Sequence, residues 1–233
     1  MKALLLAAGL GTRLRPITNS TPKCLVPING VALLDIWLEN LSNFGVDSFL
    51  INAHHLANKV YDHIAASPHN EKINLVYEDS LLGTAGTLRC NLDFFNDQDG
   101  FFAHADNYCL ADFKEFLTVH KNRPKDCLLT MMVFETNEPE KCGIVELDNQ
   151  GVVLNFYEKV LNPPGNLANG AIYLLSSEFL KTFNNQFENA KDFSLDVIPH
   201  FMGKIFTYKT EVKVVDIGSI TNYNQLNNSF LTN

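Results

Sequence analysis

The chain has 233 residues, 46% of them hydrophobic and 19% charged, and its formal net charge is −8 at pH 7. This composition provides for a sizeable core and excludes a disordered chain. An acidic chain without a block of Lys or Arg is not expected to bind nucleic acid broadly, although a local basic site for a phosphorylated small molecule is compatible with it. No apolar run approaches the roughly 18–20 residues that span a bilayer, so no membrane partner is expected.

Neither the cysteines nor the N-terminal segment indicates secretion. The cysteines are an odd number without a CxxC pair, which favours reduced thiols over a disulfide or zinc framework; they are Cys24, Cys90, Cys109, Cys127 and Cys142. The apolar run Ala3–Ala8 leads into GLGTRLRP, which has arginines where a signal peptide has a neutral cleavage region. We therefore predict a cytoplasmic protein.

Strand and helix patterns alternate through the first part of the chain. The predicted strands are Lys2–Ala8, Asp47–Ala53, Ile73–Tyr77, Gly100–Ala105 and Cys127–Phe134. The predicted helices are Leu33–Phe44 with Gly45 as its stop, Leu56–Ala66, Thr84–Leu92 and Ala111–Lys121. This alternation predicts a three-layer α/β/α fold with a mostly parallel, mixed sheet and right-handed crossovers.

The second part of the chain has a different pattern. The predicted strands are Gly143–Leu147, Val152–Tyr157, Gly170–Leu175, Lys204–Lys209 and Lys213–Val215, the first two forming a hairpin that turns at Asp148–Gly151. The predicted helices are Ser177–Phe183, Phe193–Phe201 and Ile220–Phe230. The sequence contains no linker and no internal repeat, so we predict a single domain over residues 1–233 without a left-handed β-helix extension.

The long loop Gly9–Pro27 has the composition of a phosphate site. Backbone N–H groups of a glycine-rich loop can point at an anion, and missing side chains allow it to approach closely. The loop is not a Walker A motif, because the second glycine is not followed by Lys and Ser or Thr, and it is not GxGxxG, because Leu14 occupies the position of the third glycine. Arg13 can hold a triphosphate by a forked contact, and Lys23 can place a point charge on the reacting phosphate. A turn with two solvated cations is the alternative.

The stretch GLGTRLRPITNSTPKCLVPINGVALL closely resembles the signature of the nucleotide-sugar pyrophosphorylases, nucleotidyltransferases that join an NTP to a sugar 1-phosphate. The spacing matches from the glycine loop through Arg13, Pro16, Thr18, Pro22, Lys23 and Pro27. Cys24 stands where the family often has proline or glutamine. The resemblance extends from Lys2 to about Tyr223. It implies a Rossmann-like nucleotidyltransferase domain with a nucleotide-binding half, residues 1–134, and a sugar-phosphate-binding half, residues 135–233.

The resemblance implies a set of nucleotide-binding residues in the first half. YEDSLLGTAGTL is similar to the segment of the family whose backbone near the glycine reads the nucleobase. Together with the loop, the implied nucleotide-binding residues are Ala7, Ala8, Gly9, Gly11, Thr12, Arg13, Glu78, Gly83, Thr84 and Ala105. The simpler interpretation of Gly83 and Thr84 is a helix N-terminus with Thr84 as its cap, and both interpretations can hold.

Two aspartates are implied to bind Mg²⁺. Asp106 ends an apolar strand in HADN, where the family has a metal-binding aspartate, and Asp216 in VDIGS resembles the second. Hard oxygen ligands suit this metal. His104 has no obvious partner in the sequence, so we interpret it as a buried or supporting residue rather than a catalytic one.

Three later segments resemble the sugar-phosphate side of the family's pocket. They are CGIVELD, YEKV and NLANGAIY, and the implied ligands are Gly143, Glu158, Lys159 and Asn169. Without the resemblance, Glu158 and Lys159 would be a surface ion pair. Cys142 and Val160 depart from the usual tyrosine and proline, and these departures bear on the identity of the sugar.

The implied reaction converts an NTP and a sugar 1-phosphate into an NDP-sugar and pyrophosphate. Arg13, Lys23 and Asp106 would be the catalytic residues, and Mg²⁺ the cofactor. The product would be a nucleotide-sugar precursor of cell-surface polysaccharide. We expect a monomer or a homodimer.

The nucleobase and the sugar are less constrained than the reaction. The motifs are most similar to the short guanylyltransferases, which favours GTP with a mannose- or heptose-type 1-phosphate. The alternatives are UTP or dTTP with a hexose 1-phosphate, an N-acetylmuramate 1-phosphate uridylyltransferase, and a CTP-dependent cytidylyltransferase for phosphocholine or a similar phosphorylated alcohol. A non-catalytic module that senses nucleotide sugars is a further alternative. The presence of Arg13, Lys23, Asp106 and Asp216 favours an enzyme over that module.

Overall fold

A computed structural model of the protein describes residues 1–212 and 214–230. In chain order its strands are β1 (Lys2–Leu6), β2 (Pro27–Ile28), β3 (Val31–Ala32), β4 (Ser48–Ala53), β5 (Ile73–Tyr77), β6 (Gly100–His104), β7 (Asn107–Tyr108), β8 (Leu129–Glu135), β9 (Gly143–Leu147), β10 (Val153–Glu158), β11 (Leu167–Leu175), β12 (Ile205–Lys209) and β13 (Val215–Asp216). The predicted strand Lys213–Val215 corresponds to β13, and Lys213 itself lies outside the described residues.

The α-helices are α1 (Leu33–Phe44), α2 (Ala57–Ala65), α3 (Thr84–Cys90), α4 (Phe113–Lys121), α5 (Ser177–Gln186) and α6 (Ile220–Ser229). α1 has the predicted bounds and ends at Gly45, whose φ of 101° is left-handed, a conformation that glycine adopts at little cost. The prediction of an α-helix over Phe193–Phe201 is wrong. Phe193–Val197 forms a π-helical turn and Ile198–Phe201 a 3₁₀ turn. Pro199 lies there and has no N–H to continue an α-helix.

The chain folds into two compact units. Unit 1 contains Met1–Leu81, His104–Leu110 and residues 214–230. Unit 2 contains Leu82–Ala103 and residues 111–212. These boundaries follow tertiary contacts rather than chain order, because a short segment around Asp106 and a C-terminal segment both belong with the N-terminal part.

Unit 1 is built on three parallel strands. β1 pairs with β4 from Lys2↔Ser48 to Leu6↔Asn52, and β4 pairs with β5 from Phe49↔Ile73 to Ala53↔Tyr77. The three strands therefore end at the same edge, where open α/β sheets bind their ligands. The core of this unit is the apolar side chains of β1 and β4 with the apolar face of α1.

A two-stranded ladder adds distant segments to unit 1. β13 runs antiparallel to β7, with Val215 opposite Tyr108 and Asp216 opposite Asn107. The buried Trp37 of α1 donates from Nε1 to the carbonyl of Asn107 at 2.7 Å. This register places Asp216 beside the residue that follows Asp106.

Unit 2 is organised around β11. β11 pairs antiparallel with both β6 and β8, and β12 runs parallel to β8. The hairpin of β9 and β10 turns where predicted, and Asp148 fixes the turn by accepting hydrogen bonds from the backbone of Gln150 and Val152. Buried aromatic side chains fill the core: Phe193 lies with its ring centroid 5.0 Å from those of both Phe102 and Tyr173.

A buried histidine in unit 2 has a shifted pKa. His120 of α4 lies with Nδ1 2.8 Å from the Thr130 hydroxyl and Nε2 3.5 Å from a carboxylate oxygen of Asp99. Burial lowers the pKa of His120 below its ordinary value, and Asp99 only partly opposes this. Contact with His120, in turn, lowers the pKa of Asp99.

Acidification is therefore expected to destabilise the fold through His120. The unfolded chain takes up this proton near pH ~6.5 and the folded chain resists it, so stability is lost as the pH falls below that value. A difference of one bound proton changes the free energy of unfolding by about 1.4 kcal/mol per pH unit. In His120→Gln, the fall in melting temperature between about pH 7 and pH 5 should be shallower. The exposed His200, changed to Gln, is the control, and equal slopes in the parent and in His120→Gln would contradict the prediction.

Candidate phosphate and metal site

The glycine-rich loop of unit 1 is ordered by three short 3₁₀ turns, at Thr12–Leu14, Ile17–Asn19 and Lys23–Leu25. The Thr18 hydroxyl closes the loop on itself by donating to the carbonyl of Gly11 at 2.7 Å. The buried side chains of Leu14 and Cys24 anchor it to the core. The loop predicted from the sequence is therefore a compact, packed segment rather than an open turn.

Lys23 lies between the two aspartates. Its Nζ is 2.7 Å from Oδ2 of Asp106 and 3.1 Å from Oδ1 of Asp216. Lys23 is 6% exposed, whereas the side chain of Asp106 is 24% exposed and that of Asp216 is 50% exposed. One ammonium nitrogen reaches both carboxylates, so the structure brings together three charged residues that are far apart in the sequence.

Backbone pairing places both carboxylates. Ala105 donates from its N–H to the carbonyl of Leu6 at 2.9 Å, which holds Asp106 next to the end of β1 and the start of the glycine loop. Asp216 is placed by its register opposite Asn107. Backbone contacts with neighbouring segments therefore position both aspartates.

The charges in this cluster stabilise one another. Burial by itself would lower the pKa of Lys23, but the carboxylates of Asp106 and Asp216 outweigh it and raise that pKa above its usual value. Burial likewise opposes ionisation of Asp106, but Lys23 and His104 together lower its pKa. Lys23 is therefore a cation and Asp106 an anion at neutral pH.

Arg13 extends the positive side of the site. Its Nη2 lies 3.6 Å from Oδ2 of Asp216, and the side chain is 75% exposed. Gly218 makes this approach possible, because a Cβ there would lie 2.5 Å from Oδ2 of Asp216 and 2.9 Å from Nη2 of Arg13. A larger residue at position 218 would therefore require the side chain of Asp216 or of Arg13 to move.

The interpretation of His104 needs correction. Its side chain is 32% exposed rather than buried, and Nδ1 lies 3.9 Å from Oδ1 of Asp106. His104 is the last residue of β6, two positions before Asp106, so the chain itself brings the two together. The interpretation of His104 as a residue that supports Asp106 is compatible with this geometry. The histidine does have a partner, which is the carboxylate of Asp106.

The donor set of this cluster fits a hard divalent cation. Within residues 1–212 and 214–230, no group of three or more His, Cys, Asp and Glu side chains is arranged to hold a metal. Mg²⁺ is commonly held by one or two carboxylates, with substrate phosphates and water completing its shell. The two oxygen donors Asp106 and Asp216 match that pattern, provided that Lys23 gives up its contacts with them.

Glu78 is part of an internal network of unit 1. It is buried, and its carboxylate accepts a hydrogen bond from the Asn52 amide at 2.8 Å. The side-chain amide oxygen of Asn52, Oδ1, in turn accepts from the N–H of Ala7 at 2.7 Å. Glu78 thus braces the end of β1, and its predicted contact with the nucleotide stays a prediction.

The predicted cap at Thr84 in unit 2 is wrong. Gly83 occupies the N-cap position of α3 and no side chain caps this helix. The Thr84 hydroxyl instead accepts a hydrogen bond from the N–H of Phe193 at 2.7 Å. The N–H of Ala85 donates to the carbonyl of Lys191 at 2.9 Å. The segment that resembles the base-binding region is therefore held by the chain around residue 191.

Gly83→Ala is expected to destabilise unit 2. Gly83 has φ 77° and ψ 168°, a region essentially restricted to glycine, where another residue costs about 1–3 kcal/mol. An added Cβ would also lie 2.4 Å from the carbonyl oxygen of Lys191, which is backbone and cannot rotate away. Thermal unfolding would measure the loss. Gly86→Ala, inside the same helix, is the control, and equal melting temperatures for the two variants would contradict the prediction.

The residues implied for the sugar phosphate lie on neighbouring strands of unit 2. Gly143 begins β9 and pairs with Glu158 at the end of β10. Glu158 Oε1 accepts from Nζ of Lys159 at 2.8 Å. The Lys159 side chain is 64% exposed and that of Glu158 only 17%. The structure thus brings Gly143, Glu158 and Lys159 together at one end of the hairpin.

The side chain of Asn169 makes hydrogen bonds within its own strand, β11. β11 has a register shift between Asn169 and Tyr173, with Ala171 at φ 54°. The Asn169 amide bridges this irregularity: its oxygen accepts from the N–H of Ala171 at 2.9 Å, and its nitrogen donates to the Tyr173 hydroxyl at 2.7 Å. Its predicted contact with the sugar stays a prediction.

Comparison with known proteins identifies the family. The family model described as nucleotidyl transferase matches residues 2–233. The chain belongs to the nucleotidyl transferase family. Within its described residues, no helix is both long enough and apolar enough to cross a membrane.

Two curated family members and a solved structure show the range of the likeness. The mannose-1-phosphate guanylyltransferase catalytic subunit beta of Dictyostelium discoideum is 32% identical over 77% of this chain. The D-glycero-alpha-D-manno-heptose 1-phosphate guanylyltransferase of Campylobacter jejuni is 29% identical over 78% of this chain and 79% of its own length. HddC from Yersinia pseudotuberculosis, solved in complex with GMP-PN, superposes with a TM-score of 0.81 at 26% identity, covering 98% of this chain and 99% of HddC.

The superposition confirms the predicted nucleotidyltransferase fold, an α/β fold with a mixed sheet. The chain spans 51% of the Dictyostelium protein and 49–64% of several other curated relatives.

Sequence reasoning missed two residues outside the glycine loop that hold it in place. His55 donates from Nε2 to the carbonyl of Thr18 at 3.1 Å, and Lys59 donates to that of Ser20 at 2.5 Å. Nothing in their spacing relates them to the loop, because the contacts cross from the α2 region to a segment more than thirty residues earlier. Residues of α2, among them Lys59 and Tyr61, line a cavity of about 540 Å³ together with Tyr77 of β5. None of the predicted site residues contributes to this cavity.

Proposed function

We propose that this chain is a sugar-1-phosphate nucleotidyltransferase that uses GTP and a mannose- or heptose-type 1-phosphate. The reaction gives a GDP-sugar and pyrophosphate. The observation that carries the proposal is the cluster in which Lys23 lies between Asp106 and Asp216, with Arg13 alongside, at the end of β1. Catalytic cations and hard oxygen ligands are thereby collected beside a glycine-rich loop suited to phosphate.

The chemistry asks for charge neutralisation and alignment rather than a general base. A phosphate oxygen of the sugar 1-phosphate attacks the α-phosphorus, and the bond from that phosphorus to the pyrophosphate oxygen breaks. The nucleophile is already an anion, so no proton has to be removed. Arg13 would take negative charge on the leaving pyrophosphate, and Lys23 would stabilise the α-phosphate or the attacking oxygen.

Asp106 and Asp216 would hold Mg²⁺ in this proposal. When bound, the metal supplies a Lewis acid at the α-phosphate and offsets the charge that develops there. In unit 2, Lys159 would bind the phosphate of the sugar substrate, and Gly143, Glu158 and Asn169 its hydroxyls. Nucleotide-binding roles for the backbone of the loop, Gly83 and Thr84 belong to the same proposal.

The choice of substrates is supported by what the relatives are called. One is named a mannose-1-phosphate guanylyltransferase subunit and one a heptose 1-phosphate guanylyltransferase, and HddC was solved with a guanine nucleotide analogue. We extend these substrates to this chain as a proposal, together with a cytoplasmic location, a monomeric or dimeric state and a role in cell-surface polysaccharide precursor synthesis.

A substrate matrix tests the proposal directly. Pyrophosphate release would be measured with Mg²⁺ for GTP, UTP, CTP, dTTP and ATP, each with mannose, glucose, heptose, N-acetylglucosamine and N-acetylmuramate 1-phosphates and with phosphocholine. Release is expected with GTP and a mannose or heptose 1-phosphate. Release with another pair would retain the enzyme class and replace the substrates. A folded protein that binds nucleotide but releases nothing would favour a non-catalytic sensing module.

A further inference from the structure

We propose that Lys23 is an internal counter-ion that keeps a divalent cation out of the Asp106–Asp216 pair until a nucleotide supplies phosphate. Metal loading would then depend on nucleotide, and Lys23 would move from the carboxylates to the phosphate as the metal arrives. This inference rests on the proposed function, because it concerns the metal that the two aspartates would hold.

The first argument is that Lys23 uses the oxygens that a metal needs. Its Nζ contacts Oδ2 of Asp106 at 2.7 Å and Oδ1 of Asp216 at 3.1 Å, so a single charge bridges both carboxylates. These are the only two acidic side chains that this lysine contacts in salt bridges within the described residues. A cation bound to the same two oxygens would have to displace the ammonium group or lie in contact with it.

The second argument is the position of the other positive groups. Arg13 contacts the remaining oxygen of Asp216 from an exposed position at 3.6 Å, and His104 faces the remaining oxygen of Asp106 at 3.9 Å. Both lie at the edges of the pair. Within residues 1–212 and 214–230, only the nearly buried Lys23 pairs with both carboxylates, so it is the group that would decide whether a metal can enter.

The third argument is electrostatic. A divalent cation brought next to a fixed ammonium group meets a repulsion that is weakly screened where water is excluded. Lysine carries its charge on a flexible four-carbon chain, so it can exchange a carboxylate for a phosphate oxygen without movement of the backbone. The polyphosphate of a nucleotide brings several negative charges at once, enough to bind both the lysine and the metal.

The test removes the positive charge at position 23 by the substitution Lys23→Met and measures metal binding in the absence of nucleotide. Mn²⁺ is the probe, followed by electron paramagnetic resonance, and melting temperatures are measured with and without Mg²⁺. We expect Lys23→Met to bind Mn²⁺ at least about tenfold more tightly than the parent chain. We also expect Mg²⁺ to raise its melting temperature by about 3 °C or more and to leave that of the parent nearly unchanged.

Two further variants control the result. Lys23→Arg retains the positive charge and should behave like the parent, while Lys23→Met combined with Asp106→Asn should lose the metal response. If Lys23→Met folds only when metal is present, that dependence supports the proposal. Lys23→Gln is a second neutral variant, in which the same measurements can be repeated. The parent chain is informative by itself: tight Mn²⁺ binding without nucleotide would overturn the proposal.

The outcomes separate this inference from the proposed function. If the parent and Lys23→Met respond equally to metal, or neither responds, Lys23 is not a counter-ion for the metal position. Pyrophosphate release by the parent in the substrate matrix would nevertheless leave the proposed function standing. Conversely, metal-dependent stability in Lys23→Met, with no pyrophosphate release by the parent chain for any substrate pair, would support the counter-ion and contradict the enzyme.

Discussion

Asp106→Asn should lower kcat for the best substrate pair at least about 100-fold, the lower range for removing one electrostatic contact to a transition state. The substitution preserves the shape of the side chain while removing its charge. Asp106 lies with Oδ2 2.7 Å from the buried Lys23 and, in the proposed function, holds the metal. Removing the charge would therefore weaken metal binding and leave the lysine with one carboxylate instead of two.

Steady-state rates over a series of Mg²⁺ concentrations measure this effect. Part of the loss should be recovered at high Mg²⁺ if Asp106 is a metal ligand, because weaker binding is offset by mass action. Glu135→Gln is the control, since Glu135 is an exposed carboxylate paired with Lys209 in unit 2. A rate close to that of the parent would remove Asp106 from the metal site.

Lys23→Ala should cause a comparable loss, about 100-fold in kcat. If Lys23 acts on the phosphate in the transition state, kcat and kcat/KM fall together, whereas an effect confined to KM would make it a binding residue only. The buried position between two carboxylates adds a cost in stability, because truncation removes the charge that the carboxylates face.

Measurement at saturating Mg²⁺, with the melting temperature recorded for each variant, separates these two effects. Lys59→Ala is the matched control: this exposed lysine belongs to the same unit, and its side chain donates to the carbonyl of Ser20. We expect it to change turnover far less than Lys23→Ala. Equal losses would indicate that the loop is sensitive to any nearby change and that Lys23 has no special role.

Charge balance explains how an acidic protein can offer a phosphate site. The whole chain carries a formal charge of −8, yet the cluster pairs two cations, Arg13 and Lys23, with two carboxylates. A divalent metal would make this cluster net positive, and the phosphates of a nucleotide bound together with the metal would offset that charge. Local arrangement, not net charge, decides what such a surface can bind.

Local patterns predicted much of the secondary structure. The apolar face of α1 with glycine after it, and the apolar runs of β1 and β4, depend on residues close in sequence, so periodicity and stop signals suffice. The helix predicted over Phe193–Phe201 failed because its turns are set by contacts with other segments, such as the hydrogen bond between Phe193 and Thr84.

The candidate site divides in the same way. Residue types and spacing in the glycine loop singled out Arg13 and Lys23, and the family resemblance of HADN and VDIGS singled out Asp106 and Asp216. Their roles remain to be tested. The partner of His104 and the network of Asn52 with Glu78 were not accessible, because each depends on the relative placement of segments.

The sequence by itself determined the chemical inventory of this protein: a phosphate-type loop, two cations, two aspartates and the family to which they belong. Only the tertiary structure decided that Lys23 lies buried between Asp106 and Asp216. That contact joins residues more than eighty positions apart, through the pairing of Ala105 with Leu6 and of β13 with β7. The physical reason is that composition and spacing fix which groups a chain carries, while backbone pairing between distant strands fixes which of them meet.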